Sequence, residues 1–308
     1  MEDSSIRRHT KLSRKTEYWI DRLLSDTRLS MRVKVENYIL VRLGLRPCSL
    51  TTLPAELPGA EIMGRAIDDR VLPKMRRLSS EVEPHRRLKV IEGLKREMSE
   101  AYRDVVEGSE QHRGHMEWAR NLELRTLQFE VRPTVRELYL FRDKEIGKRL
   151  ERLMKDRVEI RQRVLRHPPP GFGRTHIVYP EEFDGAWVRE MGSLYGYPKC
   201  CVERYAADRE RGISVEDRAS RQLREAEEKG EAESLAYFVG YFFPCNPKCP
   251  SATSTGRRFL EELQSINPAL GDLYKSVLNE NMDLVRRQPE IIAEHRARTS
   301  EAMKNIYR

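Results

Sequence analysis

Residues 79–108 read SSEVEPHRRLKVIEGLKREMSEAYRDVVEG. Within them Leu88, Ile91, Leu94, Met98, Tyr102 and Val105 recur every three or four positions, which is one face of a helix. Ser79-Ser80-Glu81-Val82-Glu83-Pro84 supplies capping residues ahead of the run, including Ser79 and Ser80, and Gly108 stops it. A run of this length is too regular for a strand, so it sets the class as helical.

Upstream, residues 1–47 read as basic helix, with Trp19, Ile20, Leu23, Leu24, Leu29, Val33, Val35, Tyr38, Ile39 and Leu40 at roughly helical spacing. The stretch from Arg46 to Gly59 carries three prolines and consecutive threonines and reads as a loop. A helix is expected again around Ile62–Arg77, with Pro73 as a kink or break. Downstream, a helical stretch is expected over Met116–Glu130. Arg132-Pro133-Thr134 reads as a break with Thr134 as the next cap. The longest helix is then expected to run to about Arg166 on Leu138, Phe141, Ile146, Leu150, Leu153, Val158 and Val164.

His167-Pro168-Pro169-Pro170-Gly171-Phe172-Gly173 can be neither helix nor central strand and is the best domain boundary. Beyond it come a short strand at 175–179, helices at Glu181–Leu194, from Cys200 to Arg211 and near Val215–Lys229, an apolar run Leu235–Phe243, a helix ending near Leu263, and a helical tail broken or kinked at Pro289. The expectation is therefore a mainly α protein. Residues 1–166 form an elongated, basic helical region. Residues 167–308 form a compact helical domain with a cysteine-rich site and at most a short strand pair.

The 308 residues are 39% hydrophobic and 34% charged, with a net charge of +8. That much charge suits amphipathic helices with solvated outer faces. No apolar run approaches the length of a membrane span, and no secretory signal is read at the start. A cytoplasmic location follows as the expectation, and there thiols stay reduced. No internal repeat is found, and neither Gly-x-Ser-x-Gly nor His-Glu-x-x-His occurs.

Four of five cysteines fall in two short motifs: Gly196-Tyr197-Pro198-Lys199-Cys200-Cys201 and Pro244-Cys245-Asn246-Pro247-Lys248-Cys249-Pro250. Cys48 stands apart. Pro198 would start a helix and place Cys200 and Cys201 at its N-terminus, where the dipole favours thiolate. Three chemistries fit. Four thiolates are the usual set for an iron–sulfur cluster, and a proline after the last cysteine recurs in ferredoxin-type motifs, although the spacing differs. Structural zinc could use Cys245, Cys249, one of Cys200 and Cys201, and His176, since neighbouring side chains diverge. Reduced cysteines packed as small hydrophobes, or a redox pair, are the third. The expected metal ligands are Cys200, Cys201, Cys245 and Cys249.

These two motifs, with the aromatic-rich run between them, resemble an uncharacterised, largely archaeal family, domain of unknown function 483. The resemblance covers about residues 130–280, and the double cysteine with the later Pro-Cys-x-x-x-Cys is its specific part. It implies a shared fold and no established activity. Relatives often carry histidine ahead of Pro-Cys, where this chain has Phe243, so no histidine ligand is implied there.

Around the thiols, Glu203, Arg174, His176 and Tyr197 are the expected supporting or substrate-contacting residues; no catalytic residue is assigned. His112 and His115, separated by Arg113-Gly114, read as a solvated loop. A second function class comes from charge. Residues 132–166 hold twelve Lys/Arg and six Asp/Glu, and residues 1–50 hold eleven and six. Lys148, Arg152 and Lys155 step by four and three, which with Arg149 makes a face able to meet nucleic-acid phosphate. Glu145, Glu151, Asp156 and Glu159 interrupt it.

Overall fold

The computed structural model describes residues 13–167 and 179–307. Ser13 accepts a hydrogen bond from the Thr16 amide and caps α1, Arg14–Ser25. A second helical run has α2 (Met31–Val33) and α3 (Leu40–Arg42) at its ends and a π-helical middle, Lys34–Ile39, that is buried throughout. After the strand β1 (Cys48–Leu53), α4 (Ala60–Ser80) and α5 (Pro84–Tyr102) pair as a hairpin. Glu83 caps α5 by accepting from the amides of His85 and Arg86. A π-helical turn, Arg103–Glu107, continues α5 to Gly108.

Next come α6 (Glu110–Asn121), β2 (Arg125–Arg132), β3 (Val135–Phe141) and α7 (Lys144–Arg166), the last capped by Asp143. The remaining helices are α8 (Gly185–Leu194), α9 (Lys199–Glu210), α10 (Val215–Glu228), α11 (Pro250–Ile266) and α12 (Pro268–Tyr307). The protein is mainly α. Helices α4 and α12 run through Pro73 and Pro289 without a break. No described helix is long and apolar enough to cross a membrane. The expected strand at 175–179 lies almost wholly outside the described residues.

The sheet corrects the sequence reading. It is antiparallel, ordered β1-β3-β2, with Cys48 opposite Phe141 and Arg125 opposite the same residue on the other side. All three strands lie where helix or loop was expected. β3 was hidden because it is buried on both faces: Leu138 and Leu140 join one core, Tyr139 and Phe141 the other. Its apolar run therefore shows no alternation. β1 was hidden by its polar side chains. Ser49 donates to the Asn37 carbonyl at 3.0 Å, and the Asn37 amide donates to the Thr51 hydroxyl at 2.8 Å, so the hydroxyls are satisfied inside. β2 does alternate, with Leu127, Phe129 and Val131 turned toward the protein, and that signal is legible with a period of two. Of the expected break, Arg132 ends β2 and Pro133-Thr134 is the β2–β3 turn, so Thr134 caps no helix.

The histidine pair is likewise no solvated loop. His112 and His115 lie on α6 and are buried, and the Tyr38 hydroxyl stands 2.9 Å from His115 Nδ1. Burial holds the His115 imidazole far below its usual range, at about 3.

Two cores result. The larger takes in Leu23, Tyr38 and Tyr102 together with Phe238, Phe259 and Tyr274, so it draws on both sides of residue 167. The smaller sandwiches Cys48, Tyr139 and Phe141 of the sheet against Leu150 and Leu153 of α7 and Met191 and Leu194 of α8. Between that sheet face and α8–α9 lies a cavity lined by Tyr139, Trp187 and Tyr205.

Candidate metal centre

The first cysteine turn is built by a backbone constraint. Gly196 has φ +73°, and a Cβ there would stand 2.8 Å from Pro47 Cδ. Only glycine meets both demands. Tyr197 and Pro198 follow, α9 starts at Lys199, and Cys200 and Cys201 occupy its first turn. The second turn ends symmetrically. Asn246 accepts from the Lys248 amide at 2.9 Å, the Cys249 amide donates to the Asn246 carbonyl at 3.1 Å, and α11 starts at Pro250 with Cys249 as the preceding residue. Two helix N-termini thus face one point. Their free amides and dipoles favour negative sulfur.

The four thiols lie close together. Sγ of Cys200 is 3.9 Å from that of Cys201 and 3.6 Å from that of Cys249, and Cys201 and Cys249 are 3.6 Å apart. All four sulfurs lie within 4.8 Å of one another and could hold a metal ion. The Cys245 amide donates to the Cys201 sulfur at 3.4 Å. Adjacent cysteines therefore need not diverge: at a helix start both sulfurs reach the same point. Cys201 and Cys249 are buried, Cys245 is half-buried and Cys200 is exposed. Burial pushes the Cys201 thiol up strongly and the Cys245 thiol to about 11. At Cys200 burial acts the same way, but contacts from Cys249, Ser251, Cys201 and Cys245 outweigh it and lower the thiol. Cys48 sits in the smaller core instead, its thiol pushed up to about 12 by burial.

A buried charge network holds the second turn in place. Asp208 on α9 pairs with Arg218 on α10 at 2.6 Å, and both side chains are almost wholly buried. Arg218 then donates to the Pro244 carbonyl at 3.2 Å and reaches that of Cys245 at 3.5 Å. Arg204 adds a contact to Asp208 at 3.1 Å. Sequence reading missed Asp208 and Arg218. Nothing local marks one arginine among 57 Lys and Arg, and its partners stand 10 and 26 residues away.

The other expected residues separate. Glu203 is on the outer side of α9, ion-paired with Arg189 at 2.7 Å. Tyr197 accepts from Arg46 at 3.3 Å and lines a cavity that Cys201 also lines. Arg174 and His176 lie outside the described residues. On α7, Lys148 pairs with Glu145 and Arg149 with Glu190, each at 2.7 Å. Arg152 and Lys155 make no ion pair among the described residues, and both are exposed. Arg157 is buried between Glu137 and Glu181.

Against known families, one region responds. Residues 178–270 match the model described as Protein of unknown function (DUF483). That segment belongs to the DUF483 family. It spans less than half the chain yet contains all four clustered cysteines together with Asp208 and Arg218. The sheet and Arg46 lie outside it. No curated protein and no solved structure matches the chain.

Proposed function

We propose that Cys200, Cys201, Cys245 and Cys249 hold one zinc ion in a tetrahedral site, and that the ion fastens the DUF483 segment rather than performing chemistry. The sulfur spacing carries this reading. Four sulfurs about 2.3 Å from one tetrahedral ion stand about 3.8 Å from each other. The three separations among Cys200, Cys201 and Cys249, 3.6, 3.6 and 3.9 Å, bracket that edge, and Cys245 lies within 4.8 Å of each of them. An iron–sulfur cluster distributes its thiolates over different irons, so its sulfurs must spread further than the ligands of a single ion. With four thiolates engaged no coordination position stays open, which a catalytic zinc requires. Glu203 is occupied by Arg189 and offers no acid or base at the sulfurs. The ion would tie the first turn of α9 to the start of α11, 48 and 49 residues along the chain.

A nucleic-acid role has less support, because two of the four basic residues expected to make that contact are neutralised on the spot by Glu145 and Glu190.

Elemental analysis of protein made in medium supplied with both zinc and iron tests the proposal. The expected result is about one zinc per chain, no visible absorption, and a lower melting temperature after chelation. Iron with acid-labile sulfide and a visible chromophore would overturn it, as would protein that binds no metal.

A further inference from the structure

A cavity of about 370 Å³ opens behind α9, within the range of small-molecule sites. One wall is the sheet face at Thr52 and Tyr139. Opposite it stand Trp187 of α8 and Tyr205 of α9, and Tyr241 lies at the rim, 49% exposed. Three arginines line this space, and they differ. Arg157 is held by Glu137 at 2.5 Å and Glu181 at 2.7 Å. Arg209 is held by Glu216 at 2.5 Å and Glu182 at 3.6 Å.

Arg46 has no carboxylate within 4.0 Å among the described residues, although it is only 5% exposed. Its contacts are long and neutral: the Glu36 carbonyl and Asn37 Oδ1 at 3.4 Å and the Tyr197 hydroxyl at 3.3 Å. Its Nε is buried with no partner. The rings of Tyr195 and Tyr197 lie 5.8 and 5.9 Å from the guanidinium, which offsets part of its desolvation. The Glu36 carboxylate acts on Arg46 only from beyond 4.0 Å, being engaged by Asn281 at 2.6 Å, the Gly240 amide at 2.9 Å and Arg32 at 3.8 Å. A buried guanidinium with no carboxylate in ion-pair contact and an unpartnered Nε is unfavourable, and charged groups held this way cluster at functional sites.

We propose that this cavity binds a small organic carboxylate with a flat apolar body, the carboxylate seated on Arg46 and the body against the aromatic walls. The acidic lining disfavours a dianion, so a ligand seated on Arg46 carries a single negative charge. Glu56, Glu137, Glu182 and Glu216 already line the cavity, and Glu182 shares Arg209 with Glu216. A phosphate would bring a second negative charge with no cation left to meet it. A bidentate carboxylate also matches the planar fork of a guanidinium. The rim carries a further mark of function: Tyr241 is one of only two described non-glycine residues with positive φ, at +58°, and its ring lies under Arg32 at 5.1 Å. Strain of this kind collects at ligand sites. The inference rests on the cavity and Arg46 and does not depend on the metal.

Benzoate, its neutral isostere benzamide, and phenyl phosphate are the probes, added to the full-length protein and followed by saturation-transfer NMR and titration. Benzoate is expected to bind about tenfold or more tightly than either of the other two, and Arg46→Met to weaken benzoate by about tenfold or more while the circular dichroism spectrum and cooperative melt persist. Absence of benzoate binding, equal binding of benzamide, tighter binding of phenyl phosphate, or unchanged benzoate binding by folded R46M would each overturn the proposal. The comparison of the three probes on the wild-type protein decides it even where R46M does not fold.

Discussion

The α4–α5 hairpin and the thiol-bearing segment are both helical and both rich in arginine, yet different forces hold them. In the hairpin Arg70 bridges Glu97 at 2.7 Å and Asp104 at 2.5 Å, and all three side chains reach solvent. Val82 at the tip is 91% exposed and Leu88 is 59% exposed. Of the stripe that defines α5, only Tyr102 is buried. Around the thiols Arg218 and Asp208 are buried to 4% and 1% exposure, and the ladder they form ends on backbone carbonyls of the cysteine turn. The same guanidinium–carboxylate chemistry is a screened surface contact in one place and a positioning device in the other. Burial decides which, since an exposed pair is compensated by water and a buried one only by its partner.

The largest effect that would break this contrast is at the sulfurs. Cys249→Ser is expected to remove the bound metal and cost several kcal/mol, with elemental analysis and a thermal melt as the readouts. A variant that melts like the parent would show that the segment is not held by an ion.

Arg218→Met comes next. It leaves the Asp208 carboxylate buried without its main partner and is expected to cost about 3–5 kcal/mol in denaturant unfolding. Changing Asp208→Asn on top of it should cost less than the sum of the two single changes, because both remove the same interaction.

A smaller effect tests the core that joins the two regions. His115 stays neutral when folded, at about 3, while its usual value is 6.5. The unfolded chain therefore binds a proton that the folded chain refuses. Stability should be unaffected above pH 7 and should fall as pH drops below 6.5, by about 1.4 kcal/mol per unit until pH approaches 3. His115→Asn should flatten that slope in melts taken between pH 7 and pH 4.5.

The smallest effect belongs to the hairpin. Arg70→Ala should shift the melt far less than Arg218→Met, and 1 M salt should erase the difference from the parent. A loss comparable to that of Arg218→Met would mean that surface ion pairs, and not burial, hold the helices here.

Much of the helical framework was legible. The run from Pro84 to Gly108 follows its stripe, although Ser79 and Ser80 end α4 and Glu83 is the cap, and the helices expected from Cys200 and near Val215–Lys229 stand at Lys199–Glu210 and Val215–Glu228. The two Pro-flanked cysteine turns were legible because glycine, proline and cysteine have few structural options. The sheet was not. β3 has apolar residues on both faces, β1 hides buried hydroxyls that read as polar loop, and only the alternation in β2 was there to be found.

What the sequence determined by itself was local: the helical period, the helix starts and stops, and the presence of four thiols in two turns. Those properties depend on neighbours within about one turn of chain. Tertiary structure alone decided that the two turns meet with sulfurs within 4.8 Å, that Arg218 reaches the Pro244 carbonyl, and that Arg46 is buried with no carboxylate of the described residues in ion-pair contact. Each is a matter of which groups from distant parts of the chain share one desolvated space, and the strength of a charge or a thiol as a ligand depends on that space rather than on the residue alone.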